Sequence, residues 1–238
     1  MWLSGRSKAE DLAADLPVPI EIRPIRGARR LRLRYDDVRG ILKLTCPTRT
    51  SRRAALTWAL DQRDWIETQL ARSLPGEPFV PNAVIPIEGQ ETRLHWEPRA
   101  SRIPQLNAGE LRCGGPEAGF ERRILAFFKR QAGETMEREA AEFAAKASAK
   151  VTGVSIGDAG TRWGSCTSEG KIRLSWRLIL APPEVRRYVV AHEVAHLVHL
   201  NHGAAFKALE ARLFGPGLAE AKAALRRVGP RLRRIGRR

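Results

Sequence analysis

From Pro183 to Leu200 apolar residues recur at helical spacing until they cover nearly the whole cylinder. Val185, Tyr188, Val189, His192, Ala195, His196 and His199 line one stripe, and Val190, Val194, Leu197 and Val198 fill most of the rest. A helix apolar on nearly every side is buried. Pro182, Pro183 and Glu184 supply its start signals, and no breaker follows inside the run. Upstream, Ile172, Leu174 and Trp176 alternate as one face of a strand after a turn at residues 168–170. A longer helical pattern begins near Glu117 and runs to about Lys150, burying Leu125, Phe128, Ala132, Phe143, Ala144 and Ala147, with Gly153 just beyond it.

In the first half the periods are shorter. Leu31, Leu33 and Tyr35 alternate with arginines, residues 36–40 supply a turn, and Leu42, Leu44 and Cys46 alternate on the return. Thr50 or Ser51 is placed to cap a helix running to about Arg72, with Leu56, Ala59, Leu60, Ile66 and Leu70 inward. After Pro75 and Gly76 come short strands near Val84 to Ile87, Thr92 to Trp96 and Leu111 to Cys113. These patterns predict an α+β protein with a flexible arm over residues 1–18, a small α+β module over 19–115, a second domain over 116–228 and a basic tail over 229–238.

Four of the five histidines fall between His192 and His202, and the first five residues of that stretch read H-E-x-x-H. On a helix, residues four apart share a face and stand about 6 Å apart along the axis, so His192 and His196 converge on one ion. Glu193 leaves the neighbouring face, from which a carboxylate reaches a water at that ion and takes its proton. Catalytic zinc commonly keeps three protein ligands. His199 lies about 10.5 Å up the axis from His192, too far to share an ion along a regular helix. His202, between Asn201 and Gly203, is reachable if the chain turns there. Glu210, on a following helix, is the alternative third ligand.

The Arg162-Trp163-Gly164-Ser165-Cys166 stretch, the segment from Ser175 to Pro182 and H-E-x-x-H-x5-H together resemble the YgjP-like metallopeptidase family, a relative of the SprT and WLM zincins. The resemblance extends from about Ile20 to Leu213. It implies a zincin-like catalytic domain of long helix, small sheet and H-E-x-x-H helix. It also implies one zinc ion held by His192, His196 and His202, with Glu193 as general base acting on a protein or peptide. Asn201, His202 and Phe206 match the family's N-H-x-x-x-F-W, whereas Lys207 stands where tryptophan is usual. Arg162, Trp163, Cys166 and His199 become site-lining candidates, and residues 171–177 the sheet edge on which an extended substrate would add a strand. The motif does not name the acyl group, so a non-peptide amide is a further substrate class.

Composition narrows the setting. With 43% hydrophobic residues in 238, a substantial core is available. The start lacks the apolar core of a signal peptide, no uncharged stretch is long enough to cross a bilayer, and Cys46, Cys113 and Cys166 form no C-x-x-C pair. The expected location is the cytoplasm, with reduced thiols and no membrane association. The net charge of +16, with seven arginines from Arg226 to Arg238, supports an alternative. In it, a disordered basic C-terminal tail meets nucleic acid, in either a DNA-linked protease or a binding module with structural zinc. No helix-turn-helix, zinc-finger or RNA-binding signature accompanies that charge.

Overall fold

A computed structural model describes residues 12–72, 75–158 and 162–237 and divides the chain into two compact units, Met1–Pro75 and Gly76–Arg238. Among the described residues no helix is long and apolar enough to cross a membrane.

Among its described residues the first unit holds a three-stranded sheet followed by two helices. Strands β1 (Ile20–Ile25), β2 (Arg32–Asp36) and β3 (Ile41–Pro47) lie in the order β1-β3-β2, with β1 parallel and β2 antiparallel to the central strand. Period-two alternation sends Leu42, Leu44 and Cys46 to the buried side. Helices α1 (Arg52–Leu60) and α2 (Arg63–Arg72) contribute Leu56, Ala59 and Ile66 to the same core. Ser51 caps α1, its Oγ accepting from the Ala54 N–H at 3.2 Å. The single helix expected over this stretch ends at Asp61 and restarts at Arg63. Strand β1 was hidden in the sequence by Pro19, Pro24 and the charged Glu21 and Arg23 between them. Of the expected arm, Leu16 is buried in this core, so residues 12–18 are packed, while residues 1–11 lie outside the described residues.

The second unit opens with strands β4 (Val84–Ile87), β5 (Gln90–Trp96), β6 (Gln105–Asn107) and β7 (Glu110–Cys113), ordered β4-β5-β7-β6. Their inward residues Ile85, Ile87, Leu94 and Leu111 share one core with Phe128, Trp176, Val194 and Ile235. The boundary therefore falls at Pro75 and Gly76 instead of near residue 115, because these strands have no core apart from the rest of the unit.

A 3-10 turn at Glu117–Gly119 leads into α3 (Phe120–Ala147), whose buried Ile124, Phe128, Ala132 and Met136 recur at four-residue spacing. Strands β8 (Gly153–Gly157), β9 (Gly164–Cys166) and β10 (Lys171–Ser175) follow, then a 3-10 turn at Trp176–Ile179 and α4 (Pro183–Val198). The sheet order is β8-β10-β9. Strand β10 is thus central, paired on both sides, and residues 171–177 are not a free edge. A buried ion pair ties α4 to α3: Arg186 donates to Glu139 at 3.1 Å and also to Glu88 at 2.8 Å. Pairing of this kind keeps a buried guanidinium tolerable.

Helices α5 (Ala204–Phe214) and α6 (Leu218–Arg234) complete the unit. Residues 229–234 of the expected disordered tail are instead the end of α6, with Ile235 paired to Glu77 just beyond it, and residue 238 lies outside the described residues. Leu225, Val228, Leu232 and Ile235 sit at helical spacing and pack into the core. The basic residues beside them are engaged. Arg231 binds Glu77 at 3.0 Å and Glu91 at 2.5 Å, Arg234 binds Glu77 at 3.1 Å, and Arg237 reaches Asp158 at 3.3 Å. The buried Arg177 pairs with Asp158, donates to the Ile235 carbonyl at 3.0 Å and lies 4.3 Å over the Trp176 ring.

Candidate metal centre

Helix α4 stops because His199 turns extended, at φ −129° and ψ 109°, and this end shapes the site. The chain bends through Asn201, whose Oδ1 accepts from the Gly203 N–H at 3.2 Å, and carries His202 back beside the helix. His192, His196 and His202 thereby each bring one ring nitrogen within 4.8 Å of the others. His192 Nε2 and His202 Nε2 are 3.3 Å apart. Two nitrogens each 2.1 Å from one tetrahedral ion would be separated by about 3.4 Å.

The outer nitrogens set the tautomers. His192 Nδ1 lies 2.8 Å from Glu210 Oε1, and Lys222 Nζ holds the other Glu210 oxygen at 2.6 Å. Burial raises the Glu210 carboxyl, but Lys222 and His192 outweigh it and the net shift is downward, so Glu210 is an ionised acceptor. His192 Nδ1 must then be the donor. His196 Nδ1 lies 3.1 Å from the His199 carbonyl, which only accepts, so it also carries its proton outward. Burial lowers the His196 pKa, helped by the neighbouring imidazoles against the opposing carbonyl, which favours the neutral ring. With Nδ1–H directed outward on both rings, Nε2 is the nitrogen left to face a shared ion. A divalent cation fits between such donors, and the carboxylate and carbonyl behind the rings are the usual orienting partners of metal-binding histidines.

Phe206 of α5 forms the apolar backing, its centroid 5.1, 4.5 and 4.7 Å from those of His192, His196 and His202. On the open side is a cleft of about 240 Å³ lined by His192, Glu193, Tyr188, Leu225, Arg162 and Trp163 together with Gly164 and Val189. Glu193 is only 6% exposed, and burial pushes its pKa up to about 7 against the lowering effect of Arg162.

The sequence-nominated residues separate by role. His202 joins His192 and His196, and Glu210 is drawn off to orient His192 instead of completing the donor group. His199 contributes its carbonyl. Arg162 and Trp163 line the cleft, with Arg233 of α6 stacked 4.3 Å over the Trp163 ring. Cys166 stays a thiol, donating to the Thr167 carbonyl at 3.3 Å, its pKa raised by burial and by Glu193, and it is outside the histidine group. Gly164 had no assigned role. A Cβ there would stand 2.5 Å from Glu193 Oε1, so a side chain at this point of β9 would displace the carboxylate. Tyr188 had a visible signal, four residues before His192 on the same helix face.

Comparison with known proteins bears on this geometry. The model of the YgjP-like metallopeptidase domain matches residues 29–228. No curated protein matches the chain. Among solved structures, the crystal structure of the metallopeptidase zymogen abylysin of Pyrococcus abyssi is similar at 20% identity and a TM-score of 0.36, over 42% of this chain and 97% of its own. Since the family match runs through most of both units and includes every residue of the histidine cluster, the chain belongs to the YgjP-like metallopeptidases.

Proposed function

We propose that the protein is a zinc-dependent peptidase in which His192, His196 and His202 hold the ion and Glu193 is the general base. The observation that carries this reading is the convergence of three imidazoles, one of which, His192, shares a cleft with the buried Glu193 carboxylate. Three nitrogen donors with no fourth protein ligand among the described residues suit a catalytic site better than a structural one. An ion held there supplies Lewis acidity, polarising a carbonyl and lowering the pKa of water.

The remaining steps belong to the chain. Glu193, with a pKa near the operating pH, accepts a proton from the attacking water and returns it to the leaving amine. Glu210 and the His199 carbonyl keep the rings aimed inward. Arg162, exposed at the rim, presents positive charge to the carbonyl oxygen as it becomes anionic. The edge of β9 offers backbone groups to an extended peptide beside Glu193.

The test compares wild type with Glu193→Gln for metal content and for cleavage of a mixed protein pool. Equal zinc near one per chain, with cleavage confined to wild type, is expected. Absence of stoichiometric metal in carefully prepared protein, or undiminished cleavage by the glutamine variant, would overturn the reading.

A further inference from the structure

The sheet of the first unit has a second face. Strand alternation turns Arg23, Arg32, Arg34, Lys43 and Thr45 away from the core. The register places Arg23, Thr45 and Arg32 in one row across the three strands and Glu21, Lys43 and Arg34 in the next. Two adjoining grooves of about 560 and 540 Å³ share Arg32 and Thr45, and the second extends past Arg29 and Arg30.

The acidic groups here are already committed. Glu21 binds Arg39 at 2.7 Å and Asp36 binds Lys43 at 2.5 Å. Arg34 faces the Asp36 charge. Among the described residues no carboxylate pairs with Arg23, Arg29, Arg30 or Arg32, and all four side chains are exposed. Tyr35 lies on the core side, and among the described residues no aromatic ring lines the basic face. Ile25, 40% exposed, is its large apolar group.

We propose that this face binds the phosphate backbone of a nucleic acid without reading its bases. Guanidinium groups present paired donors that match phosphate oxygens. Rows of them along a groove suit a linear polyanion, whereas a bilayer is a plane and cannot enter a groove. A protein partner would call for a cluster of aromatic or aliphatic anchors, and Ile25 by itself does not make one. Without stacking rings, affinity comes from counterion release and is indifferent to base composition. The surface differs from the C-terminal arginines, of which Arg231, Arg234 and Arg237 are held by Glu77, Glu91 and Asp158.

The test is fluorescence anisotropy of the full-length protein with a labelled 20-nucleotide oligo-dT strand between 50 and 200 mM salt. Four to five phosphate contacts predict a log–log slope of about −3 to −3.5, unchanged for a mixed-sequence strand and after chelator treatment. The Arg23→Gln, Arg30→Gln, Arg32→Gln triple variant should lose about 2 from that slope and at least tenfold in affinity at low salt. Each single variant should lose about 0.7, which preserves the reading if the triple variant unfolds. Replacement of the same three by lysine should keep the slope, and Arg226→Gln with Arg227→Gln on α6 should leave binding intact. The proposal fails if wild type does not bind at 50 mM salt, if the glutamine variants bind like wild type, or if the α6 pair accounts for the loss. It fails too if phosphatidylserine vesicles at equal charge bind more tightly than the strand.

Discussion

Glu210 Oε1 lies 2.8 Å from His192 Nδ1, joining a carboxylate on α5 to an imidazole on α4, while Lys222 of α6 secures the far oxygen at 2.6 Å. Three helices thus fix one ring. Glu210→Ala should weaken metal affinity by about 10- to 100-fold, as removal of such supporting partners typically does. Competition with a metal indicator measures this, and Lys222→Ala should show a smaller loss. Affinity unchanged in Glu210→Ala would remove the orienting role.

Gly164→Ala separates metal binding from base placement. The added methyl would stand 2.5, 2.6 and 2.7 Å from Oε1, Cγ and Cδ of Glu193, so the carboxylate must move. Displacement of a reacting group by about 1 Å costs on the order of 100-fold in rate. The expected variant keeps its metal and its KM but loses about that factor in kcat. Full activity would mean that strand and helix separate easily at this point.

Glu193 also makes the metal-free protein sensitive to pH. Its folded pKa of about 7 exceeds the ordinary 4.5, so folding tightens proton binding. The stabilising contribution is complete below about 4.5 and is lost as pH rises through about 7, amounting to at most about 3 kcal/mol. Chelator-treated wild type should therefore gain less stability than Glu193→Gln when pH is raised from 4.5 to 8 in denaturant titrations. Parallel profiles for the two proteins would contradict this.

Truncation after Val228 should destabilise the protein instead of trimming a loose end. Leu232 and Ile235 are 2% and 0% exposed, and each buried side chain of this size contributes about 1.5–3 kcal/mol. The loss should appear as a melting temperature lower by several degrees. Melting at the wild-type temperature would show that these residues add little.

The sequence made some of this legible for clear reasons. A 3.6-residue period carries its own geometry, so His192, Glu193 and His196 could be placed before any tertiary contact was known, and Asn201 with Gly203 marked the turn that returns His202. Other features depend on neighbours distant in sequence. Glu210 read as a ligand candidate because its distance from His192 is set by the packing of α5 on α4. Strand β8 alternates only Val154 and Ile156 among glycines and serine, β9 is a bare Gly-Ser-Cys, and the central place of β10 depends on both of them. Arginines around Leu232 and Ile235 concealed an amphipathic helix whose carboxylate partners begin at Glu77, more than 150 positions earlier.

Phe206 touches all three imidazoles from a helix that supplies none of them. That shared contact restrains each imidazole on the side facing α5, so the aim of the three depends on how firmly the helix stays docked. A substitution that loosens α5 would therefore disturb all three donors together, although none of them lies on that helix.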